Sequence, residues 1–557
     1  NPYEYNIVHD DYIPESEWLA NINWVDNNLK AYGYKMICID GWGDDGSFNN
    51  DGYRTTHSSN WTHDYAWWSN NLQARGMTLG IYNNPLWVIQ GAANAGKLIK
   101  GTNIPISTLI NPNENSLWFK WVQVNNPGAE QYVKGYIQYY ADMGVKYLRV
   151  DFLSWFETGF DQNLGTVGPN RPKADYEKAL RWMREACDAN GIFLSLVMPN
   201  LKNEGELEDI YGRMIRINDD AGLASDWGRF NNLNRGQRSL DVWSQYDNAF
   251  DGYTYWSKLS GRGKVVLDGD FIRLNKFTND NERKTVISLN LIAGGPVSVS
   301  DQYNSIGSNL WLYQNTELLA LNTDGFVGKP LTNDPTNASS QIWKGQMSNG
   351  DWIVGLFNRE NTAQTRSINF ATNLGFGGNA AVRDLWSHSN LGSMSSYSVS
   401  VPAHGCVVVK IVPEIVSGAT YKITNRNSGK ALDVFQQLTT NGAIIHQWDY
   451  ASATSQKWVV TSTGSGSYTI KNVNSNKNLD VYQQSTADNV QIHQWDASNI
   501  NSQKWTIESV GSGYYKIVNV NSGKGLDVYG ASTANGGLIK QFIYTGGNNQ
   551  QWVLTKL

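Results

Sequence analysis

The chain has 557 residues, with 40 % hydrophobic and 17 % charged positions and a net charge of −5. It is too long for one core and too apolar for a disordered chain, and it lacks the basic balance of a nucleic-acid binder. No apolar run approaches the roughly 20 residues that span a bilayer; the longest, 286–300, is broken by Gly-Gly-Pro.

Three scattered cysteines, Cys38, Cys187 and Cys406, allow at most one disulfide, and none stands at metal-ligand spacing. The opening NPYEYN lacks an initiator Met, which suits a matured or trimmed chain. The expectation is a chain that needs no metal or cofactor and no nucleic-acid or membrane partner, with a monomer as the expected state.

From the N-terminus, short apolar runs alternate with helical patterns, the signature of βα units around a parallel sheet. Eight runs stand out: YNIVHDD (5–11), KMICIDGW (35–42), TLGIYNN (78–84), YLRVDF (147–152), FLSLVMPN (193–200), MIRINDD (214–220), KVVLDGD (264–270) and PVSVSDQ (296–302). Helical periodicity fills 129–144 and 175–190 between them. Eight strands with crossovers predict a (β/α)8 TIM barrel over residues 1–315, whose active site lies at the strand C-terminal ends.

Polar residues gather at those ends, and alternation along each strand assigns their faces. In the fourth run Leu148 and Val150 face the helices, while Arg149 and Asp151 face the barrel mouth. In the sixth, Arg216, Asn218 and Asp220 face inward and Asp219 falls on the opposite parity. Asp40 and Trp42 share a face in the second run, Asp268 and Asp270 in the seventh, and Asp10 and Asp11 end the first. Carboxylates from at least four strands and two arginines thus converge. An ion-pair layer that only holds the fold is one reading; strand-end carboxylates in this architecture favour chemistry.

The third crossover is long: residues 85–124 carry Trp118, Phe119 and Trp121, which suit either an extended sugar cleft or the packing of a lid.

The last third repeats three times. Trp458, Trp505 and Trp552 end SQKW, SQKW and NQQW at intervals of 47 residues, and LDV recurs at 432–434, 479–481 and 526–528. The strands between them and the triple Gln-x-Trp resemble a ricin-type β-trefoil carbohydrate-binding module over 414–557. That resemblance implies one sugar subsite per lobe: Asp433 with Trp448, Asp480 with Trp495, and Asp527 with Phe542, with Asn549 matching a further family position that Ser455 and Ser502 replace. The Gln-x-Trp tryptophans themselves read as core.

Paired carboxylates beside a sugar-binding module point to glycoside hydrolysis, in which one carboxyl group protonates the leaving oxygen while the other attacks or activates water. YLRVD (147–151), RINDD (216–220), SDW (225–227), VLDGDFI (266–272), LALNTDGFVGKPL (319–331) and the helix entry VNNPGAEQYV (124–133) resemble glycoside hydrolase family 27, the α-galactosidase and isomaltodextranase superfamily. The resemblance implies an antiparallel β-sandwich over 316–413, with residues 339–361 as its first strands. It makes Asp151 the nucleophile and Asp220, four residues after Arg216, the acid/base.

On this reading Arg149 and Arg216 keep Asp151 ionised, and Asp220 is the more shielded carboxyl with a raised pKa. Asp40, Asp268, Asp270 and Trp42 meet the sugar, with Asp10 and Asp11 as further candidates.

The chain departs from the α-galactosidase pattern where that pattern grips galactose: Asp40-Gly41 for Asp-Asp, Arg149 for Lys, and Leu153 for Cys. The expectation is a secreted retaining exo-hydrolase of α-linked polysaccharide, dextran first. An α-galactosidase or β-L-arabinopyranosidase of the same fold and a catalytically inactive carbohydrate-binding protein are the alternatives.

Overall fold

The computed structural model describes residues 2–41, 43–44, 46–114, 119–161, 164–220, 226–511 and 513–557. The chain divides into two compact units: residues 1–345 with 357–362 and 402–406, and residues 346–356 with 363–401 and 407–557.

The first unit has the TIM-barrel fold, in which six strands make a continuous parallel sheet: Met36–Ile39, Thr78–Tyr82, Tyr147–Val150, Phe193–Leu196, Met214–Arg216 and Val266–Asp268. Each pairs in parallel with its neighbour in sequence. All four residues of Tyr147–Val150 are buried, as expected of a strand covered on both faces. The outer layer follows from helical periodicity. Lys173–Asn190 buries Tyr176, Ala179, Leu180, Met183, Ala186 and Cys187 on one stripe and stops at Gly191, whose φ of 63° supplies a left-handed cap.

Two of the eight predicted strands are not continuous strands. Residues Pro2–His9 form a helix, so the run 5–11 is corrected from strand to helix. Seven residues of mixed polarity do not separate the two conformations, and Tyr5 meets His9 one turn on with ring centroids 4.1 Å apart. Residues 296–302 contribute only a parallel bridge, Val299 to Ile272. The sheet is therefore open between Met36–Ile39 and this segment. A cavity of about 510 Å³ occupies the gap, lined by Ile22, Val25 and Leu29 on the outside and reaching Asp40 and Arg149 within.

The third crossover folds as a hairpin, Trp87–Ile89 against Phe119–Trp121. Phe119 and Trp121 are buried, and Phe119 stacks on Trp87 at 4.7 Å, so these two rings pack the insertion; Trp118 lies outside the described residues. The carboxylate of Glu114 is fastened to Arg171 at 2.5 Å, both side chains being buried. All three cysteines are free.

In the second unit, antiparallel pairs join Gln364–Asn369 to Ser396–Val401, and Ala380–Asp384 to both Ser389–Met394 and Cys406–Pro413. These are β-sandwich strands. The trefoil follows, closed by its last strand, Trp552–Lys556, pairing with its first, Ala419–Asn425. Trp458, Trp505 and Trp552 are wholly buried, and each gives its indole N–H to the carbonyl of Leu432, Leu479 or Leu526 at 2.9–3.0 Å. The repeat is thus a core repeat: one indole per lobe, with its only polar atom satisfied.

Candidate active site

The strand ends deliver a charged cluster to the barrel mouth. Arg149 is buried and spends its guanidinium on three carboxylates: Nε to Asp40 at 3.1 Å, Nη1 to Asp268 at 2.8 Å and Nη2 to Asp270 at 3.2 Å. Its planar group also lies 4.8 Å from the centroid of the Phe271 ring. Arg216, equally buried, reaches the other oxygen of Asp270 at 3.1 Å and Asp220 Oδ1 at 2.5 Å. Enclosing charge in this way is tolerable only because each guanidinium is matched by carboxylates. Asp270 bridges the two arginines from a left-handed backbone, φ 74°.

Asp151 sits beside this layer. Its Oδ1 accepts the N–H of Phe152 at 2.7 Å, its Oδ2 accepts the Tyr82 hydroxyl at 2.8 Å, and its carbonyl accepts the Asn84 amide at 2.7 Å. Phe152 also holds a left-handed φ of 62°, which turns the chain sharply after the carboxylate. Desolvation pushes the Asp151 carboxyl up to about 6, against the pull of Arg216 and of the Tyr82 and Phe152 hydrogen bonds. Asp220 runs the other way: the Arg216 guanidinium holds it below the usual carboxylate range, and its side chain is 56 % exposed.

The expected ordering of the two carboxyls is therefore reversed. Arg149 is committed to Asp40, Asp268 and Asp270, and Arg216 pairs with Asp220, so neither cation is in direct ion contact with Asp151 among the described pairs.

The assigned residues fall into three groups. Asp151, Asp220, Arg149, Arg216, Asp40, Asp268 and Asp270 come together. Within that group Asp268 is fully buried, with Oδ2 on Arg149 and Oδ1 on the N–H of Asp270 at 2.9 Å. It holds the Arg149 guanidinium. Burial raises the carboxyls of Asp40 and Asp270.

Asp10 and Asp11 do not join the cluster; both are exposed beyond the N-terminal helix, and Asp11 accepts the N–H of Tyr12 at 2.7 Å. That correction follows directly from the first run being helical. Trp42 lies outside the described residues. Asp219 turns toward Arg229 at 4.0 Å, in line with its opposite parity.

Tyr82 and Asn84 escaped the sequence reading, although they end the third run, TLGIYNN, as the other assigned residues end theirs.

In the trefoil, Asp433, Asp480 and Asp527 are buried, Trp448 and Trp495 are each 43 % exposed, and Phe542 is half-buried. Asn549 donates to Asp527 Oδ2 at 3.0 Å.

Comparison with known proteins agrees with this domain architecture. The model of the alpha galactosidase C-terminal beta sandwich domain matches residues 337–411, and that of the ricin-type beta-trefoil lectin domain-like family matches 411–495 and 501–557. Isomalto-dextranase of Arthrobacter globiformis is 41 % identical over 439 residues, 75 % of this chain and 68 % of that protein. The solved structure of A. globiformis T6 isomalto-dextranase complexed with panose aligns with 100 % of this chain and 90 % of its own, at 31 % identity and a TM-score of 0.72.

A family 27 β-L-arabinopyranosidase from Geobacillus stearothermophilus shares the fold over 72 % of this chain and 93 % of its own, at 20 % identity and a TM-score of 0.58. A charged mouth built from strand ends, a sandwich and a trefoil, joined to a relative of this similarity, lead to one assignment: the chain belongs to glycoside hydrolase family 27 and is a glycosidase carrying a ricin-type β-trefoil.

Proposed function

We propose that the protein is a secreted, monomeric, retaining exo-hydrolase of α-1,6-linked glucan, with Asp151 as nucleophile and Asp220 as acid/base. The observation that carries the mechanism is the pair of carboxyls itself. Asp151 is held at both oxygens by Tyr82 and the Phe152 N–H, and Asp220 stands on Arg216 beside it.

In the first step a carboxylate oxygen of Asp151 bonds to the anomeric carbon as the glycosidic C–O bond breaks. The proton of Asp220 goes to the departing oxygen. Water then attacks the glycosyl ester, giving its proton back to Asp220 and releasing Asp151, so configuration is retained.

The free-state charges suit this order of events. With a carboxyl near 6, Asp151 is ionised at neutral pH. The Asp220 side chain is exposed; a glucan seated against it would exclude water, and desolvation raises a carboxyl toward the range of a proton donor. The Asp40-Gly41 pair, Arg149 and Leu153 replace the residues with which α-galactosidases grip galactose, which supports a different terminal sugar. The A. globiformis relative carries a name that points to dextran.

Product analysis tests the reading. Dextran digested by the enzyme should yield isomaltose with the α configuration at its new reducing end. Release of free galactose or arabinose from chromogenic glycosides, with dextran untouched, overturns the substrate. Inverted product overturns the mechanism.

A further inference from the structure

The insertion that leaves the strand Thr78–Tyr82 and the segment that follows Asp151 are fastened to each other at both ends. At the near end stands Asn84, wholly buried. Its Nδ2 donates to the Asp151 carbonyl at 2.7 Å, its Oδ1 accepts the N–H of Leu86 at 2.9 Å, and its own carbonyl accepts the N–H of Trp87 at 2.9 Å. One asparagine thus fixes where the insertion starts relative to the residue that bears the carboxylate.

Trp87, also buried, carries the contact from backbone to ring. Its ring centroid lies 5.7 Å from that of Phe152 and 6.2 Å from that of Tyr82. These are the two residues whose N–H and hydroxyl occupy Asp151 Oδ1 and Oδ2. Phe119 stacks on Trp87 at 4.7 Å, and Phe152 stacks in turn on Trp155 at 4.1 Å with the ring planes 10° apart. Phe152 needs such company. Its φ of 62° and ψ of 29° are seldom taken by a bulky residue, cost about 1–3 kcal/mol, and persist only where the surroundings enforce them.

At the far end Trp121 meets Phe156 edge-on at 5.4 Å. Arg171, held by Glu114 of the insertion, donates to the Phe156 carbonyl at 2.8 Å and lays its guanidinium 4.6 Å from the centroid of that ring. Its backbone N–H reaches the carbonyl of Glu157 at 2.7 Å. The other carboxylate oxygen of Glu114 accepts from Gln123 at 2.7 Å. The short helix Leu153–Thr158 is therefore gripped at its entry by Trp87 and toward its end by the Glu114–Arg171 pair.

We propose that Trp87 and the Glu114–Arg171 pair are positioning residues for Asp151: acting through Phe152 and Phe156, they hold residues 151–157 so that the Phe152 N–H and the Tyr82 hydroxyl stay on the two carboxylate oxygens. The inference rests on Asp151 as the nucleophile. An attacking oxygen has to stay on its line to the anomeric carbon, and a displacement of about 1 Å from a change outside the chemistry costs about 100-fold in rate. The long third crossover then acts by orientation, without touching the glucan.

The test is steady-state kinetics of the full chain on dextran across the acid limb of the pH profile. Trp87→Leu should lower kcat about 10- to 100-fold and leave KM unchanged within about twofold. It should also move the acid limb upward, because loosening the Phe152 N–H removes a bond that favours the ionised carboxylate; Arg216, Tyr82 and Asp220, which also act on that carboxyl, stay in place. Trp87→Phe keeps a ring against Phe152 and should recover most of the loss. Ile99→Ala, buried in the same insertion beside Gly128, should melt lower and keep its kcat.

A raised KM at unchanged kcat, the signature of a sugar cleft, overturns the proposal. So does an acid limb that stays where it was, or a kcat loss matched by Ile99→Ala. Where Trp87→Leu does not fold, Glu114→Gln keeps the shape and loosens the far anchor; a fall in kcat of about tenfold at constant KM supports the proposal, and an unchanged kcat overturns it. Asp151→Asn separates the two claims. Full activity in that variant, or a parent inert toward dextran, defeats the functional reading alone. Positioning is then read from the titration of Asp151 itself by carboxyl-carbon NMR: an upward shift in Trp87→Leu supports it, and no shift overturns it.

Discussion

The barrel mouth and the trefoil both bury polar groups, yet they satisfy them in opposite ways. In the barrel, Arg149 pairs with Asp40, Asp268 and Asp270 and Arg216 with Asp270 and Asp220, so the charge is matched within the protein although Arg216 Nε makes no hydrogen bond among the described residues. In the first two trefoil lobes the enclosed pairs are looser, Asp433 with His446 at 3.5 Å and Asp480 with His493 at 3.6 Å. On the proposed function, the difference separates a site that must hold reacting groups still from one that must only hold on. A preorganised field lowers a barrier because it does not reorganise during the reaction; unmatched groups gain most when a ligand supplies what is missing.

The sharpest way to break this comparison is Asp151→Asn. Hydrolysis should fall on the order of 10,000-fold, while dextran retardation through the trefoil persists; equal loss of both would mean that the two regions do not divide the labour. Next in size, Arg149→Met removes the one cation that three buried carboxylates share. It should cost about 3–5 kcal/mol of barrel stability, read as a lowered urea midpoint. Trp505→Ala should cost a similar amount, about 3–5 kcal/mol, in the trefoil, because that indole is core and not a sugar platform.

Tyr82→Phe removes one hydrogen bond from Asp151 and should lower kcat/KM about tenfold. It also sets the smallest effect. A carboxyl raised to about 6 must lose its proton to attack, so activity should fall as pH drops through that value. Because the Tyr82 hydroxyl lowers that carboxyl's pKa, its loss should move the acid limb upward by less than about one unit.

The sign for stability is opposite. A folded-state pKa above the unfolded value means that the native protein binds more protons between about pH 4 and 6, so this group's contribution declines as pH rises through that window. Asp151→Asn should therefore melt higher than the parent at neutral pH.

Much of the site was legible in the sequence because strand parity is a strict rule: Arg149, Asp151, Arg216, Asp220 and Asp270 gather where alternation put them, and Asp219 turns aside as it required. The three tryptophans of the trefoil were equally plain, since a 47-residue repeat leaves little choice. Three features were not. Which arginine serves which carboxylate depends on side-chain reach across strands, and parity says nothing about reach; the reversed order of Asp151 and Asp220 follows from that. The N-terminal run is too short and too mixed for periodicity to choose a helix over a strand, and Asp10 and Asp11 were placed by that choice. Tyr82 was written at a strand end like its neighbours, but an uncharged residue there gave no warning of burial beside a carboxylate.

Asp270 is constrained twice. Its backbone occupies a conformation that L-residues other than Asn and Asp seldom tolerate, and its two oxygens answer two different guanidinium groups. Shape and charge therefore constrain the position independently: Asn keeps the bend and loses the anion, Glu keeps the anion and forfeits the bend. A change at this residue therefore alters the company of both arginines in one step.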